Sequence, residues 1–403
     1  MVISTSLSPN TEKDDIILAL KVVFQPWKWK KGKSDEDLEE QFKKYLGVNY
    51  AFSFNSGRSA FMAILESFDV KDKEILLQAF TCNAAVNPIL KAKAKPIFVD
   101  IDNSLNMDPE DLKRKITSNS CVVMVQHTFG YPAKINEISN IAKENNLILI
   151  EDTAHSLGVK IKGKYCGTFG EASFFSFGRD KIISSVYGGM AVTNDLEIAE
   201  KLKQIQAKLE FPSSFWIFQQ LMHPILMNFF VLPAYNLSSF FGRIILGVFH
   251  KFSILSKSVY KEEKNGEIPK VFPKRFPNGL AFLALNQFGK LEKYNLHRKK
   301  IAGIYQKAFN VPENKEAIFM RFPLLMRIDT DTVLKKARKR KIYLDDGWRK
   351  SVIVPLDTDK RKYYFGGCPK AEKMSLSILN LPTHINISEN NAKEIVGFLK
   401  NNV

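Results

Sequence analysis

A lysine and an aspartate near the middle of this chain could together perform covalent chemistry. Asp152 follows the apolar run at residues 147–150, and Lys181 comes after the aromatic stretch at residues 173–177. A lysine amine can form a Schiff base with an aldehyde cofactor, while an aspartate can keep a ring nitrogen of that cofactor protonated, so that the ring withdraws electrons. Many protein surfaces carry both residue types. The case therefore depends on the elements that would bring the two side chains together.

Short strand patterns alternate with helix patterns through the first part of the chain. The strand candidates are residues 50–54, 74–77, 96–99, 121–125 and 147–150, and the helix candidates include residues 83–92 and 135–144. Such alternation favours an α/β fold with a mostly parallel sheet that helices cover on both faces. Ligands of such sheets bind at the carboxyl ends of the strands. Residues 55–57, Thr81, His127 and Asp152 all follow strand candidates, so we expect them to meet at one edge of the sheet.

The chain divides into three predicted parts. Residues 1–34 form an N-terminal arm, residues 35–265 form a large cofactor-binding domain, and residues 266–403 form a smaller α+β domain. A helix pattern runs over about residues 280–309 of the small domain, either straight or kinked. Within the large domain, a hydrophobic insertion at residues 211–260 interrupts the regular alternation.

The composition favours a globular protein in a reducing compartment. The chain has 403 residues, of which 45% are hydrophobic, and its four cysteines show neither metal-ligand spacing nor paired spacing, so we expect reduced thiols, a cytoplasmic location and no metal site. The N-terminus lacks a basic segment followed by an apolar one, so no secretory signal is expected. The net charge of +17 predicts an anionic partner. Since no nucleic-acid-binding motif is visible, a membrane surface or a phosphorylated substrate is favoured over nucleic acid.

The insertion has two alternative interpretations. Residues 211–242 carry no formal charge, and their prolines and amides argue against one straight membrane-spanning helix of about 20 apolar residues. Interfacial or re-entrant helices over residues 211–252, lying at the inner face of the membrane, are one interpretation. A buried helical hairpin or a dimer contact is the other. The segment at residues 26–31 (PWKWKK) resembles an interfacial anchor, although by itself it fits a cap or a packing element of the N-terminal arm equally; together with the uncharged insertion and the basic excess it favours the membrane interpretation.

Ordered motifs along nearly the whole chain resemble the DegT/StrS family of pyridoxal-phosphate-dependent aminotransferases, which mostly act on nucleotide-linked keto-sugars. The matching stretches are residues 55–60 (NSGRSA), 79–81 (AFT), 96–101 (PIFVDI), 151–155 (EDTAH), 176–181 (SFGRDK), 188–189 (GG), 368–373 (CPKAEK) and 381–384 (LPTH). The resemblance implies a fold-type I homodimer with active sites at the subunit interface and pyridoxal 5'-phosphate as the cofactor.

The resemblance also implies roles for individual residues. Lys181 would form the internal aldimine and then shuttle protons, and Asp152 would pair with the pyridinium nitrogen. His155 matches a polar position near the ring hydroxyl of the cofactor. Ser176 matches a hydroxyl that binds the cofactor phosphate.

The turn formed by Ser56, Gly57, Arg58 and Ser59 lies between a strand and a helix candidate, where backbone N–H groups and the positive helix end would hold a phosphate. The family usually has Thr where this chain has Arg58, whose charge could strengthen phosphate binding or point toward a substrate phosphate. Cys82 stands where many members place an aromatic ring against the cofactor. Stacking is therefore expected from Phe80 or from another segment.

The resulting functional hypothesis is an aminotransferase that acts on a nucleotide-linked or lipid-linked keto-sugar in polysaccharide or glycolipid synthesis, with glutamate as the amino donor. One alternative is a pyridoxal-phosphate-dependent sugar dehydratase, but in this family dehydration is associated with loss of the Schiff-base lysine, and Lys181 is present. Another alternative is a non-catalytic, cofactor-binding scaffold at the membrane surface. Retention of Asp152, Ser176 and Lys181 together disfavours a scaffold.

Overall fold

The computed structural model describes residues 2–356, 358 and 366–401 of the chain. The strands are β1 (Ile3–Ser4), β2 (Tyr50–Phe54), β3 (Glu74–Gln78), β4 (Thr81–Cys82), β5 (Lys95–Val99), β6 (Ser120–Gln126), β7 (Ile148–Asp152), β8 (Lys160–Ile161), β9 (Lys164–Tyr165), β10 (Ala172–Ser176), β11 (Gly189–Thr193), β12 (Arg321–Leu325), β13 (Ile342–Tyr343), β14 (Ile353–Val354) and β15 (Ile378–Pro382). The helices are α1 (Lys13–Val23), α2 (Ser34–Leu46), α3 (Gly57–Glu66), α4 (Asn83–Lys91), α5 (Pro109–Lys115), α6 (Ile135–Glu144), α7 (Leu196–Lys208), α8 (Ser214–Leu226), α9 (Leu232–Leu237), α10 (Ser239–Lys251), α11 (Lys261–Lys264), α12 (Asn278–Phe288), α13 (Leu291–Phe309), α14 (Thr330–Lys339), α15 (Pro369–Ser377) and α16 (Glu389–Lys400).

A seven-stranded sheet in the order β2-β11-β10-β7-β6-β3-β5 organises the larger part of the molecule. Strand β11 is antiparallel to both of its neighbours, and the other six strands run in one direction. Every residue of β3 and β11 is buried. Because successive side chains of a strand point to opposite faces, the sheet is covered on both sides. The predicted α/β class with a mostly parallel sheet is confirmed.

A second hydrophobic cluster is formed mainly by C-terminal elements. Strands β12 and β15 pair antiparallel, and the side chains of Ile301, Tyr305 and Phe398 are buried in this cluster. The N-terminus joins it as well, since β1 pairs with β13 and Ile3 is buried there. The part of the chain predicted as an arm therefore contributes a strand to the second cluster.

The helix predicted over about residues 280–309 is divided in two at Gly289 and Lys290. Helix α12 packs with the sheet core through Leu280 and Leu283, whereas Ile301 of α13 packs in the second cluster. Two separate packing partners, together with the low helix propensity of glycine, account for the break.

The insertion is helical and lies partly inside the molecule. Within the described residues, one helical segment, Ser214–Leu237, is long and apolar enough by length and composition to cross a membrane, and more than half of it is buried. It consists of α8, a π-helical turn at Met227–Val231, and α9. Helix α8 packs against α1 and α12, and its residues Trp216 and Leu221 belong to the main core. Helix α10, in contrast, packs mainly on α9 and the π-helical turn.

Candidate active site

The turn between β2 and α3 has the features of an anion site. Ser56 caps α3, since its Oγ accepts a hydrogen bond from the N–H of Ser59 at 3.1 Å. The Ser59 hydroxyl in turn donates to Oδ1 of Asn55 at 2.7 Å. The N–H groups of the first helical turn and the positive end of the helix dipole favour an anion at this place.

Two glycines let β10 and β11 approach this turn closely. A Cβ on Gly57 would lie 2.8 Å from Cβ of Ser176 and 3.2 Å from its Oγ, and a Cβ on Gly189 would lie 2.4 Å from the backbone nitrogen of Gly57. A larger residue at either position would push these segments apart. The structure thus brings Ser176 beside the turn, and binding of a cofactor phosphate by its hydroxyl stays a prediction.

Arg58 has a partner within the chain. Its guanidinium forms an ion pair with Glu263 of α11, whose side chain is buried, and it lies 4.7 Å from the centre of the Phe272 ring. The positive charge of Arg58 is therefore paired with a carboxylate of α11, the helix that directly follows the insertion. Contact between Arg58 and a cofactor phosphate stays a prediction.

Lys181 lies in hydrogen-bond contact with His155. The Lys181 Nζ and the His155 Nε2 are 2.9 Å apart, and the other ring nitrogen, Nδ1, accepts from the N–H of Phe129 at 3.2 Å. Burial, together with the charges of Lys181 and Arg321, lowers the pKa of His155 well below its usual value of 6.5, so the ring is neutral near pH 7. A neutral ring that accepts at Nδ1 carries its proton on Nε2. This N–H group can donate to the Lys181 amine only when that amine is unprotonated.

Asp152 ends β7 and lies at the same edge of the sheet. Its Oδ1 accepts from the N–H of Ala154 at 3.0 Å. Burial raises the pKa of Asp152 to about 6, although that N–H group and the charges of Lys181 and His127 act in the opposite direction. A nearby cation would lower the pKa of this buried carboxyl group, because the cation stabilises the charged form. A protonated ring nitrogen would be such a cation.

An aromatic cluster encloses the Lys181–His155 pair. Phe129 stacks on the His155 ring with centroids 5.6 Å apart and 9° between the planes, and Trp348 meets both rings edge-on at 5.1 Å. Phe80, predicted to stack on a cofactor, is fully buried and meets Trp348 edge-on at 5.7 Å. The sequence analysis missed Phe129 and Trp348. The signal for Phe129 was its place two residues after His127, just past the end of β6.

Cys82 lies at the edge of the same region. It precedes α4 at the N-cap position, and its side chain is half-buried. Burial raises the pKa of the thiol, against the opposing effect of the positive charges of Lys181 and Arg58. Cys82 is therefore a neutral thiol near Lys181, and its contact with a cofactor stays a prediction.

A buried ionic cluster connects the Lys181 loop to the second hydrophobic cluster. Arg321 of β12 forms an ion pair with Asp180, which precedes Lys181, and another with Asp346 at 2.7 Å. Asn380 of β15 donates to the same Asp346 carboxylate at 2.9 Å. Burial acts to raise the pKa of Asp180, but the charges of Arg321 and Lys181 outweigh it and lower that pKa. The sequence analysis missed this cluster because its members lie far apart along the chain.

Residues on both sides of Lys181 form hydrogen bonds with the insertion. The Tyr187 hydroxyl donates to the backbone carbonyl of Lys257. Arg179 donates to the Ser256 hydroxyl at 2.5 Å, and that hydroxyl donates to Oε1 of Gln220 at 2.7 Å. The insertion is therefore attached to the segment that carries Lys181. No group of three metal-ligating side chains occurs among the described residues.

Two characterised sugar-modifying enzymes are similar to this chain in sequence. The chain is 37% identical over 177 residues to the GDP-perosamine synthase of Escherichia coli O157:H7, an alignment that spans 43% of this chain and 49% of the relative. It is 35% identical over 179 residues to the UDP-4-amino-4,6-dideoxy-N-acetyl-beta-L-altrosamine transaminase of Campylobacter jejuni, spanning 44% and 48% of the two chains. The chain thus spans about half the length of the curated relatives it matches.

Solved structures share the fold over the whole chain. Helicobacter pylori PseC, an aminotransferase of pseudoaminic acid biosynthesis, superposes with a TM-score of 0.74 at 21% identity, covering 100% of this chain and 99% of PseC. The E. coli GDP-4-keto-6-deoxy-D-mannose-3-dehydratase superposes with a TM-score of 0.76 at 21% identity, covering 99% and 100%. At these identities the likeness establishes the fold alone.

The family profile of the DegT/DnrJ/EryC1/StrS aminotransferases matches residues 10–210 and 248–400. The gap between the two matched ranges, residues 211–247, falls within the predicted insertion. The matched ranges include the anion turn, Asp152, His155, Ser176 and Lys181. This protein therefore belongs to the DegT/DnrJ/EryC1/StrS aminotransferase family.

Proposed function

We propose that this protein is a pyridoxal-phosphate-dependent aminotransferase that transfers an amino group to a keto-sugar for polysaccharide or glycolipid synthesis. The observation that carries the proposal is the buried site in which the Lys181 amine lies 2.9 Å from His155, near the strand end that bears Asp152. Family membership supports the reaction class. The names of the two relatives support a sugar substrate.

The residues at this edge fit pyridoxal phosphate. The N-terminus of α3, with Gly57 against Ser176, offers N–H groups and a hydroxyl to a phosphate. Asp152, whose pKa burial raises to about 6, would hold a ring nitrogen in its protonated form. When bound, the cofactor supplies an electron-withdrawing ring that carries the amino group between donor and acceptor.

The side chains around Lys181 would control its amine. His155 Nε2 lies 2.9 Å from the Lys181 Nζ, a hydrogen-bond contact that would orient the amine while it takes up or releases a proton. Asp180, held by Arg321, anchors the backbone next to Lys181. The aromatic rings of Phe129 and Trp348 cover the His155 ring, which is buried, and so shield that side of the site from water.

The presence of Lys181 favours amino transfer over the two alternatives. The resemblance associates sugar dehydration with loss of this lysine, and a scaffold that only bound cofactor would not need the His155–Lys181 contact. The likeness to a solved dehydratase, at 21% identity, concerns the fold and does not favour dehydration.

Reductive trapping tests the cofactor and its attachment site. The purified protein is incubated with pyridoxal phosphate, reduced with borohydride, digested, and mapped by mass spectrometry. The adduct is expected on Lys181. Lys181→Arg should abolish it, whereas Lys208→Arg, at the exposed end of α7, should leave it unchanged. An adduct spread over surface lysines, with Lys181 unmodified, would remove the basis of the proposal.

A substrate assay tests the reaction. The protein loaded with pyridoxal phosphate is mixed with nucleotide-linked 4-keto-sugars and with isotopically labelled glutamate, which we propose as the amino donor. Labelled nitrogen is expected in an amino-sugar product, with 2-oxoglutarate released in equal amount. A product that has lost water and contains no label would identify a dehydratase instead.

Sedimentation of the same sample tests the proposed homodimer.

A further inference from the structure

We infer that the insertion carries a docking surface for an anionic lipid bilayer. The surface consists of the exposed apolar side chains of the π-helical turn, the end of α9, and one side of α10, and we call it the outer face. Its members are Phe229, Phe230, Leu237, Phe240, Phe241, Ile244, Val248 and Phe252. This inference does not depend on the proposed reaction.

Helix α10 is apolar on two sides, and only one of them is covered by protein. Gly242 packs against the Tyr235 ring, and Leu246 and Phe249 lie on the same side of the helix, in contact with the small core of the insertion. On the opposite side, Ile244 and Val248 are exposed. An amphipathic helix of a globular protein has one apolar stripe, which faces the core. A second stripe on α10 therefore requires a second apolar environment.

The exposure of the outer face is large for a soluble surface. Leu237 is 74% exposed, Phe252 is 68% exposed and Phe240 is 63% exposed. Soluble monomers rarely expose contiguous apolar patches larger than roughly a few hundred Å² unless the patch binds something. The side chains here are mainly Phe, Leu, Ile and Val, which are typical of the apolar face of interfacial helices.

Charge decides between a bilayer and a second copy of the chain. Residues 211–260 contain no Asp or Glu, whereas Arg243, Lys251 and Lys257 are basic. Two copies joined through their outer faces would bring like charges together without a carboxylate to match them. An anionic membrane supplies the opposite charge, and the long side chain of Lys251 can reach the headgroups while the apolar groups beside it enter the acyl region. The net charge of +17 acts in the same direction.

Docking through the outer face would bring the active site toward the membrane. The inner side of the insertion is bonded to the Lys181 loop through Tyr187 and Lys257, and through Arg179 and Ser256. The insertion therefore cannot move far from that loop without breaking these hydrogen bonds. A docked enzyme would hold its catalytic segment beside the membrane-bound part.

Vesicle flotation of the full-length protein tests the inference. One vesicle preparation contains equal parts of phosphatidylcholine and phosphatidylglycerol, and the other contains phosphatidylcholine alone. The wild-type protein is expected to float with the anionic vesicles at low salt and much less with the neutral ones, and added salt should weaken binding. Failure to float with anionic vesicles at low salt would overturn the inference.

Matched triple variants separate the outer face from general hydrophobicity. F241S/I244S/V248S alters the outer face, and L196S/L296S/L376S removes exposed apolar side chains elsewhere on the molecule. The first variant is expected to lose about tenfold or more of the vesicle affinity, and the second is expected to bind as the wild type does. Circular dichroism and trapping at Lys181 verify that both variants remain folded.

Charge variants and sedimentation give two further decisive results. Arg243→Glu with Lys251→Glu should reduce anionic binding, whereas Lys203→Glu with Lys335→Glu, outside the insertion, should not. An equal loss in both pairs would contradict a local docking surface. If the outer-face variant instead dissociates a wild-type oligomer and leaves vesicle binding unchanged, the surface is an interface between copies and the inference is wrong.

Discussion

At the scale of single residues, the site depends on burial that changes the protonation of its side chains. His155 is neutral because burial and the charges of Lys181 and Arg321 lower its pKa, and its two ring nitrogens contact the N–H of Phe129 and the amine of Lys181. Burial raises the pKa of Asp152 to about 6, although the charges of Lys181 and His127 oppose this shift. Both effects arise from the same removal of water, which disfavours charged forms.

Asp152 should make the stability of the cofactor-free protein depend on pH. Its folded-state pKa of about 6 lies above its ordinary value of 3.8, so the folded state binds more protons than the unfolded state between these values. The contribution of Asp152 to stability should therefore fall as the pH rises from about 4 to about 6, by up to about 3 kcal/mol. Thermal unfolding of the wild type and of Asp152→Asn across this range would measure this contribution as the change in the difference between the two proteins.

The control for this prediction is Asp37→Asn, on the exposed side of α2. It should retain the pH dependence of the wild type. A stability difference between the wild type and Asp152→Asn that does not change between about pH 4 and pH 6 would contradict the raised pKa.

At the scale of elements, the Lys181 loop is held from two directions. The buried Arg321 of β12 binds Asp180 on one side and Asp346 on the other. Tyr187 and Arg179 bind the insertion. The loop is thus positioned by the second hydrophobic cluster and by the insertion, in addition to the strands β10 and β11 that flank it.

Arg321→Leu should strongly destabilise the protein. Removal of the guanidinium leaves the buried Asp346 and the partly exposed Asp180 without their shared partner, and loss of one member of a buried ion pair costs roughly 3–5 kcal/mol. Urea unfolding monitored by circular dichroism would measure the loss. Arg338→Leu removes a more exposed ion pair with Asp345 and should cost less than about 1 kcal/mol. Equal effects of the two substitutions would refute the structural importance of the buried cluster.

At the scale of the whole molecule, one part of the insertion lies in the core and another part lies at the surface. Its first helix, α8, belongs to the main core through Trp216, Ile217 and Leu221, while the outer face of α10 is exposed. The interpretation of a buried segment therefore holds for α8, whereas the interfacial interpretation stays a proposal for α10.

Deletion of residues 211–252 should unfold the protein. The deletion removes Trp216, Ile217 and Leu221 from the main core and uncovers the surfaces of α1 and α12 that pack against α8. Burial of each such side chain contributes about 1.5–3 kcal/mol, so the loss should approach the full stability of a typical domain. Soluble yield and circular dichroism would measure this outcome, with F241S/I244S/V248S as the control that keeps α8. A deleted protein that stays folded would show that α8 is dispensable.

The sequence by itself determined the sheet class and the sites that follow its strands. Asp152 and the Ser56–Ser59 turn could be placed because strand periodicity and helix caps are encoded by neighbouring residues. The tertiary structure alone decided the partners that come from distant parts of the chain, such as Trp348 against His155 and Arg321 against Asp180. No local sequence pattern predicts such pairs, because they form only when separate elements pack together. For the same reason, only the packed fold could show that α8 is buried and that α10 presents a second apolar side to the solvent.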